Sequence, residues 1–152
     1  MMITLRQIAD IPTLMEWRAE VIRNVFGEEA DSSLLEANRQ YYLRHVPDET
    51  HIAYVAAYQE SDCGCGGICF SDELPSPDNP SGRCAYLMNI YVREAFRKHG
   101  IAHKIVSHLV EEAKKRNCGK IYLETTADGK PVYTSLGFRD MADMMKYYDT
   151  EN

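Results

Sequence analysis

Arg97-Lys98-His99-Gly100-Ile101-Ala102 stands between an apolar run ending at Val92 and a long amphipathic segment, and its residue types suit phosphate binding. A short turn entering a helix presents backbone N–H groups that have no partner inside the helix, and the positive end of the helix dipole strengthens their pull on an anion. Gly100 lets the backbone approach a ligand closely, and small Ala102 keeps the first turn clear. Arg97, Lys98, His99 and, just inside the helix, His103 add positive or titratable groups.

That basic turn belongs to an acidic chain. Seventeen Lys and Arg against twenty-three Asp and Glu give a net charge of -6, which argues against nucleic acid as a partner and leans toward small cationic amines. With 152 residues and 45% hydrophobic content, the chain fits one domain over residues 1–152 with a real core. The start, Met1-Met2-Ile3-Thr4-Leu5-Arg6, has no apolar stretch of signal-peptide length and no segment approaches a membrane span, so a cytoplasmic protein with no membrane partner is expected. Five cysteines are then expected as reduced thiols. Cys63, Cys65 and Cys69 lack the spacing and second cluster of a tetrahedral site, so no metal is expected, and their glycine-rich surroundings read as a turn entering a buried strand.

The elements that must hold the turn follow from pattern. Ile3 to Arg6 alternates as a first strand, and Ile11, Leu14, Met15, Arg18, Val21, Ile22 and Val25 recur at helical spacing, with Pro12 in the first turn and Gly27 as the stop. Ser33-Leu34-Leu35-Glu36 resembles a capping box for a second helix ending at Pro47. His51 to Tyr58 and Gly66 to Ser71 read as a hairpin with Gln59 to Cys65 as its loop, Leu74 to Gly82 as a proline-rich loop, and Ala85 to Val92 as a strand. A helix from about Arg97, stopped by Gly119, and a strand at Ile121 to Glu124 imply a parallel crossover. A short helix over Pro131 to Leu136 ends at Gly137, and closing strands are expected near Phe138–Arg139 and Met144–Tyr148.

The strand Met88 to Val92, the turn Arg97 to Ala102, the helix and then Tyr133-Thr134-Ser135-Leu136-Gly137-Phe138 together resemble the GNAT superfamily of N-acetyltransferases. The turn is similar to its (Gln/Arg)-x-x-Gly-x-(Gly/Ala) signature, and the last segment to its Tyr-x-x-x-Gly-Phe. The resemblance implies an α/β (α+β) fold with a mixed, mostly antiparallel sheet, a splayed central parallel strand pair and flanking helices. It also implies acetyl-CoA as cosubstrate. Backbone of Ile90, Tyr91 and Val92 would bind the pantetheine arm as an added strand, and Arg97, Lys98, His99, Gly100, Ile101, Ala102 and His103 would hold the pyrophosphate.

By the same resemblance, Tyr133 is the general acid that protonates the departing thiolate, a task that suits a phenol protonated at neutral pH. Glu124 is a candidate base or amine holder, with a solvent-facing carboxylate as the plain alternative. Tyr86 stands where some members carry a catalytic glutamate, and a phenol is a poor base unless its pKa is strongly lowered. Trp17, Tyr41 and Tyr42 read first as core and second as acceptor-pocket walls; His45 and His51, flanking the Pro47 turn, read first as polar surface groups and second as acceptor-side residues, and His108 on the long helix reads as having no role in the chemistry. The expected function is acetyl transfer to a primary amine, on a small molecule or a peptide. The alternatives are a non-catalytic acyl-CoA sensor and, on the cysteines, a redox or metal protein. The acceptor and oligomeric state stay open, a homodimer being one option.

Overall fold

In the computed structural model, which describes residues 2–150, the first strand β1 (Ile3–Ile8) leads through Asp10 into helix α1 (Ile11–Val25). Met1, Glu151 and Asn152, at the ends of the expected 1–152 domain, lie outside the described residues. The Asp10 carboxylate accepts from Thr13 N at 3.0 Å, Pro12 occupies the first turn, and Gly27 leaves the helix at φ +77°. Helix α2 (Ser32–His45) is capped by Asp31, which accepts from Leu34 N at 2.8 Å. Ser33 is therefore not the cap: it already lies inside the first turn, and the carboxylate ahead of it takes the orphan amide.

The hairpin of β2 (His51–Tyr58) and β3 (Ser61–Asp72) departs from expectation. Its loop is only Gln59-Glu60, both at positive φ (50° and 70°), so the two-residue turn twists with the strands. Cys63 to Gly67 are residues of β3 rather than a turn. Their glycines serve packing: a Cβ on Gly64 would lie 2.6 Å from Tyr91 O, and one on Gly66 2.6 Å from Ile105 Cγ2. A bulge beside Gly64 also sends Cys63 into one core and Cys65 into the other, so these thiols do not converge.

Strand β4 (Arg83–Val92) is followed by a 3-10 turn (Glu94–Phe96), helix α3 (Ile101–Lys115), strand β5 (Lys120–Leu123) and helix α4 (Lys130–Ser135). The sheet order is β1-β2-β3-β4-β5, antiparallel through β4, with β4 and β5 parallel. The helix expected from Arg97 begins at Ile101, because Lys98 and Gly100 take left-handed conformations (φ 68° and 77°) before it. Asn117 (φ 60°) turns the chain after α3. Gly119 instead gives room to Asn79, whose Oδ1 an added Cβ would strike.

Two cores sandwich the sheet. Ile101, Ile105, Val106 and Leu109 of α3 pack on Ile52, Ile68, Ala85 and Leu87, while Leu14, Trp17, Val21 and Tyr42 of α1 and α2 pack on Ala53, Val55, Cys65 and Tyr91. The strands expected at Phe138–Arg139 and Met144–Tyr148 are not formed. Strand-forming residue types need a face to bury, and here Met145 (99% exposed) and Tyr147 (86%) find none. Among the described residues, no strand covers the outer edge of β5.

Candidate active site

Pairing between β4 and β5 joins only Cys84–Leu87 to Lys120–Leu123, so Met88 to Val92 run on past the last residue of β5. A bulge sits at that point: Gly67 faces Met88 and Cys65 faces Tyr91, which leaves one extra residue on β4, with Asn89 at φ 57°. Ile90 and Val92 turn their side chains to the α3 core, and Tyr91 is buried against α1, where burial and a hydrogen bond to Glu20 raise its pKa. The opened edge therefore offers backbone.

Beyond Val92 the chain is braced before the basic turn. Arg93 donates to both Glu20 oxygens at 2.8 and 2.9 Å and lies 4.4 Å over the Trp17 ring, while Arg97 Nε donates to Val92 O at 3.0 Å. No amide from Lys98 to His103 donates to a protein acceptor among the described residues, and Lys104 N is the first to bond back, to Gly100 O at 3.1 Å. Buried Ile101 anchors the helix start in the core, Lys98, Gly100 and His103 face solvent, Ala102 is half-buried, and the His99 ring stacks on Tyr58 at 4.9 Å. A row of unsatisfied N–H groups at a helix entry, with nothing within 4 Å of a Cβ built on Gly100, fits a pyrophosphate.

Across the gap, α4 carries Tyr133. Its ring packs edge-on to Phe138 with centroids 5.9 Å apart, and burial alone raises its pKa. Its hydroxyl bonds no protein group among the described residues. Glu124, just past β5, accepts from Tyr86 Oη at 2.8 Å. Burial, reinforced by that carboxylate, pushes Tyr86 up to about 12, which makes it a donor that orients Glu124 and a worse base than a free phenol.

Two cavities meet here. One of about 1220 Å³ lies along the outer edge of β5 toward Met141 and Met144, and one of about 320 Å³ lies between α1 and β4. Glu124, Thr125 and Tyr133 line both. The smaller cavity also holds Arg18, which sequence reasoning placed only on the inward stripe of α1; a charged residue on an apolar stripe was the available clue. Trp17 and Tyr42 are core residues, and His51 is not at the surface: it is 2% exposed, with Nδ1 2.9 Å from Tyr41 Oη. His108 packs edge-on against Tyr54 at 4.4 Å. Among the described residues, no group of three or more His, Cys, Asp or Glu is placed to hold a metal ion, and no helix is long and apolar enough to cross a membrane.

This fold, with a mixed sheet opened at a parallel pair and a helix-entry anion cradle beside the opening, is that of the acetyltransferase (GNAT) family. Residues 11–138 match the family, and the chain belongs to it. A crystal structure of a predicted acetyltransferase with acetyl-CoA from Clostridium acetobutylicum aligns at a TM-score of 0.87, with 27% identity and 99% of both chains covered. N-alpha-acetyltransferase 30 of Saccharomyces cerevisiae is 28% identical over 74% of this chain and 64% of its own length. The [ribosomal protein bS18]-alanine N-acetyltransferase of Escherichia coli (strain K12) is 32% identical over 43% of this chain and 47% of its own. The chain thus spans about half to two thirds of these curated relatives.

Proposed function

We propose that this chain is an acetyl-CoA-dependent N-acetyltransferase acting on a primary amine, with Tyr133 as general acid and Glu124 as base. The observation that carries it is the end of β4–β5 pairing at Leu87 and Leu123, which leaves the Met88–Val92 backbone to bind an amide-bearing arm beside Tyr133. Acetyl-CoA supplies the thioester. The amides of Lys98 to His103, with Arg97 and Lys98 at their rim, hold the pyrophosphate. Glu124, fixed through Oε1 by Tyr86, takes the proton of the incoming amine directly or through water. As the N–C bond forms and the C–S bond breaks, Tyr133 Oη gives its proton to the sulfur; burial, by raising its pKa, keeps that proton in place until needed.

Thiol release from acetyl-CoA over an amine panel tests this. Tyr133→Phe keeps the ring contact with Phe138 and is expected to lower kcat by about 10²-fold or more. Unchanged turnover would remove the general acid from the mechanism. Acetyl-CoA binding with no transfer to any amine would leave a sensor in place of an enzyme.

A further inference from the structure

We infer that the amine acceptor also carries a carboxylate, and that Arg18 is the residue that binds it. The inference rests on the acetyltransferase function proposed above. Arg18 sits midway along α1, half-buried, and lines the 320 Å³ cavity together with Glu124 and Tyr133. Its guanidinium is aimed by two neutral amides: Nε donates to Asn38 Oδ1 at 2.9 Å and one terminal nitrogen donates to Asn89 Oδ1 at 2.8 Å. Those bonds use two of the five N–H donors of a guanidinium. The other three have no protein acceptor, and no carboxylate lies within ion-pair distance, among the described residues.

Arg93 provides the internal control. It too ties α1 to the β4 segment, from the residue just after the strand, and it is neutralised by a bidentate pair with Glu20 on α1. A bridge that served only to tie helix to strand would be made at lower desolvation cost by a neutral amide, or be paired as Arg93 is. A half-buried guanidinium held in one orientation by uncharged groups is a docking point for a planar oxyanion. Glu124 faces the same cavity with the opposite charge, and Val21, Val25, Phe26 and Met88 give it apolar walls. The cavity is thus polarised for a small zwitterion with an apolar body: ammonium toward Glu124, carboxylate toward Arg18. The net charge of -6 says nothing of this, because it averages over the surface and not over the cavity.

The probes are phenylalanine, phenylalaninamide and phenethylamine, which share the amine and the apolar body and differ in the carboxylate and in amine basicity, so rates are compared per unprotonated amine. With acetyl-CoA, kcat/KM for the acid is expected to exceed that for the other two by about tenfold or more, expressed in KM more than in kcat. In Arg18→Gln this ratio falls to near one; in Arg18→Lys it is partly kept. Calorimetric titration of acid and amide into the chain without acetyl-CoA is expected to show the same preference, so the result does not hang on turnover. Equal use or equal binding of acid and amide by the wild-type chain, or binding of neither, overturns the inference without any variant. A rise in KM for acetyl-CoA with the acid-to-amide ratio intact in Arg18→Gln also overturns it. Transfer to no amine, with the acid still bound selectively, overturns the proposed function and leaves the carboxylate site standing.

Discussion

His51 makes stability depend on pH in a calculable way. Its imidazole is 2% exposed, beneath Tyr41 and Tyr42 of α2, and a Cβ on Gly67 of β3 would lie 2.9 Å from its Nε2. Burial first, then the nearby charges of His45 on α2 and Arg18 on α1, lower its pKa to about 4 from an ordinary 6.5. The native chain therefore keeps this ring neutral between those values while the unfolded chain takes up a proton, so stability falls as pH drops from about 6.5 toward 4. The penalty is about 2 kcal/mol at pH 5 and about 3 kcal/mol at pH 4, relative to neutral pH. The depressed carboxylates Asp10, Glu20, Asp48, Asp62 and Glu73 have ordinary values near 4, so they add their own losses mainly below pH 5 and leave the interval from 7 to 5 to the imidazole. Urea unfolding followed by circular dichroism at pH 7 and pH 5 measures the drop. His51→Gln, which keeps a polar group for Tyr41 but cannot titrate, is expected to start less stable and to lose about 2 kcal/mol less over the interval. Parallel pH curves for wild type and variant would refute the assignment of the drop to this ring.

Gly64→Ala is expected to cost about 1–3 kcal/mol or more in urea unfolding, since its methyl would meet the Tyr91 carbonyl and not a movable side-chain end. Wild-type stability in that variant would show that β4 yields easily. Glu20→Gln leaves Arg93 without its carboxylate and is expected to lose about 1–2 kcal/mol, reduced by the partial exposure of the pair; a thermal melt reads it, and an unchanged Tm would make the bidentate pair ornamental. Lys98→Ala is expected to raise KM for acetyl-CoA severalfold with kcat nearly unchanged and the difference shrinking at high salt. A fall in kcat alone would place Lys98 elsewhere in the reaction.

Most elements were legible because local chemistry and burial agree in them. Pro12 and Gly27 bracket α1, and the apolar spacing from Ile101 to Ala113 marks α3. The sequence was misleading where a residue answers to a distant neighbour. Gly64 and Gly66 look like turn residues but are small because α3 and Tyr91 press on them, and Gly119 looks like a helix stop but yields space to Asn79. Met144 to Tyr148 pair methionines with tyrosines as a strand would, yet their side chains stay mostly exposed. In the candidate site, the helix-entry turn and Tyr133 lie on local motifs and could be found. Arg18 could not be assigned a task, because its task depends on Asn38 and Asn89, 20 and 71 residues away.

The extra residue at Asn89 changes the parity of β4. Upstream, odd-numbered Ala85 and Leu87 face α3; downstream, even-numbered Ile90 and Val92 do, and Tyr91 goes to the other side. One strand thus serves two rooms, and the doorway between them is where the site lies. A substitution at Asn89 changes a contact, whereas deletion of that one residue would let Ile90 follow Met88 in plain alternation, keeping Ile90 and Val92 toward α3 and Tyr91 opposite but removing the bulge that kinks the strand at the opened edge. Length at this point is as much a part of the site as any side chain.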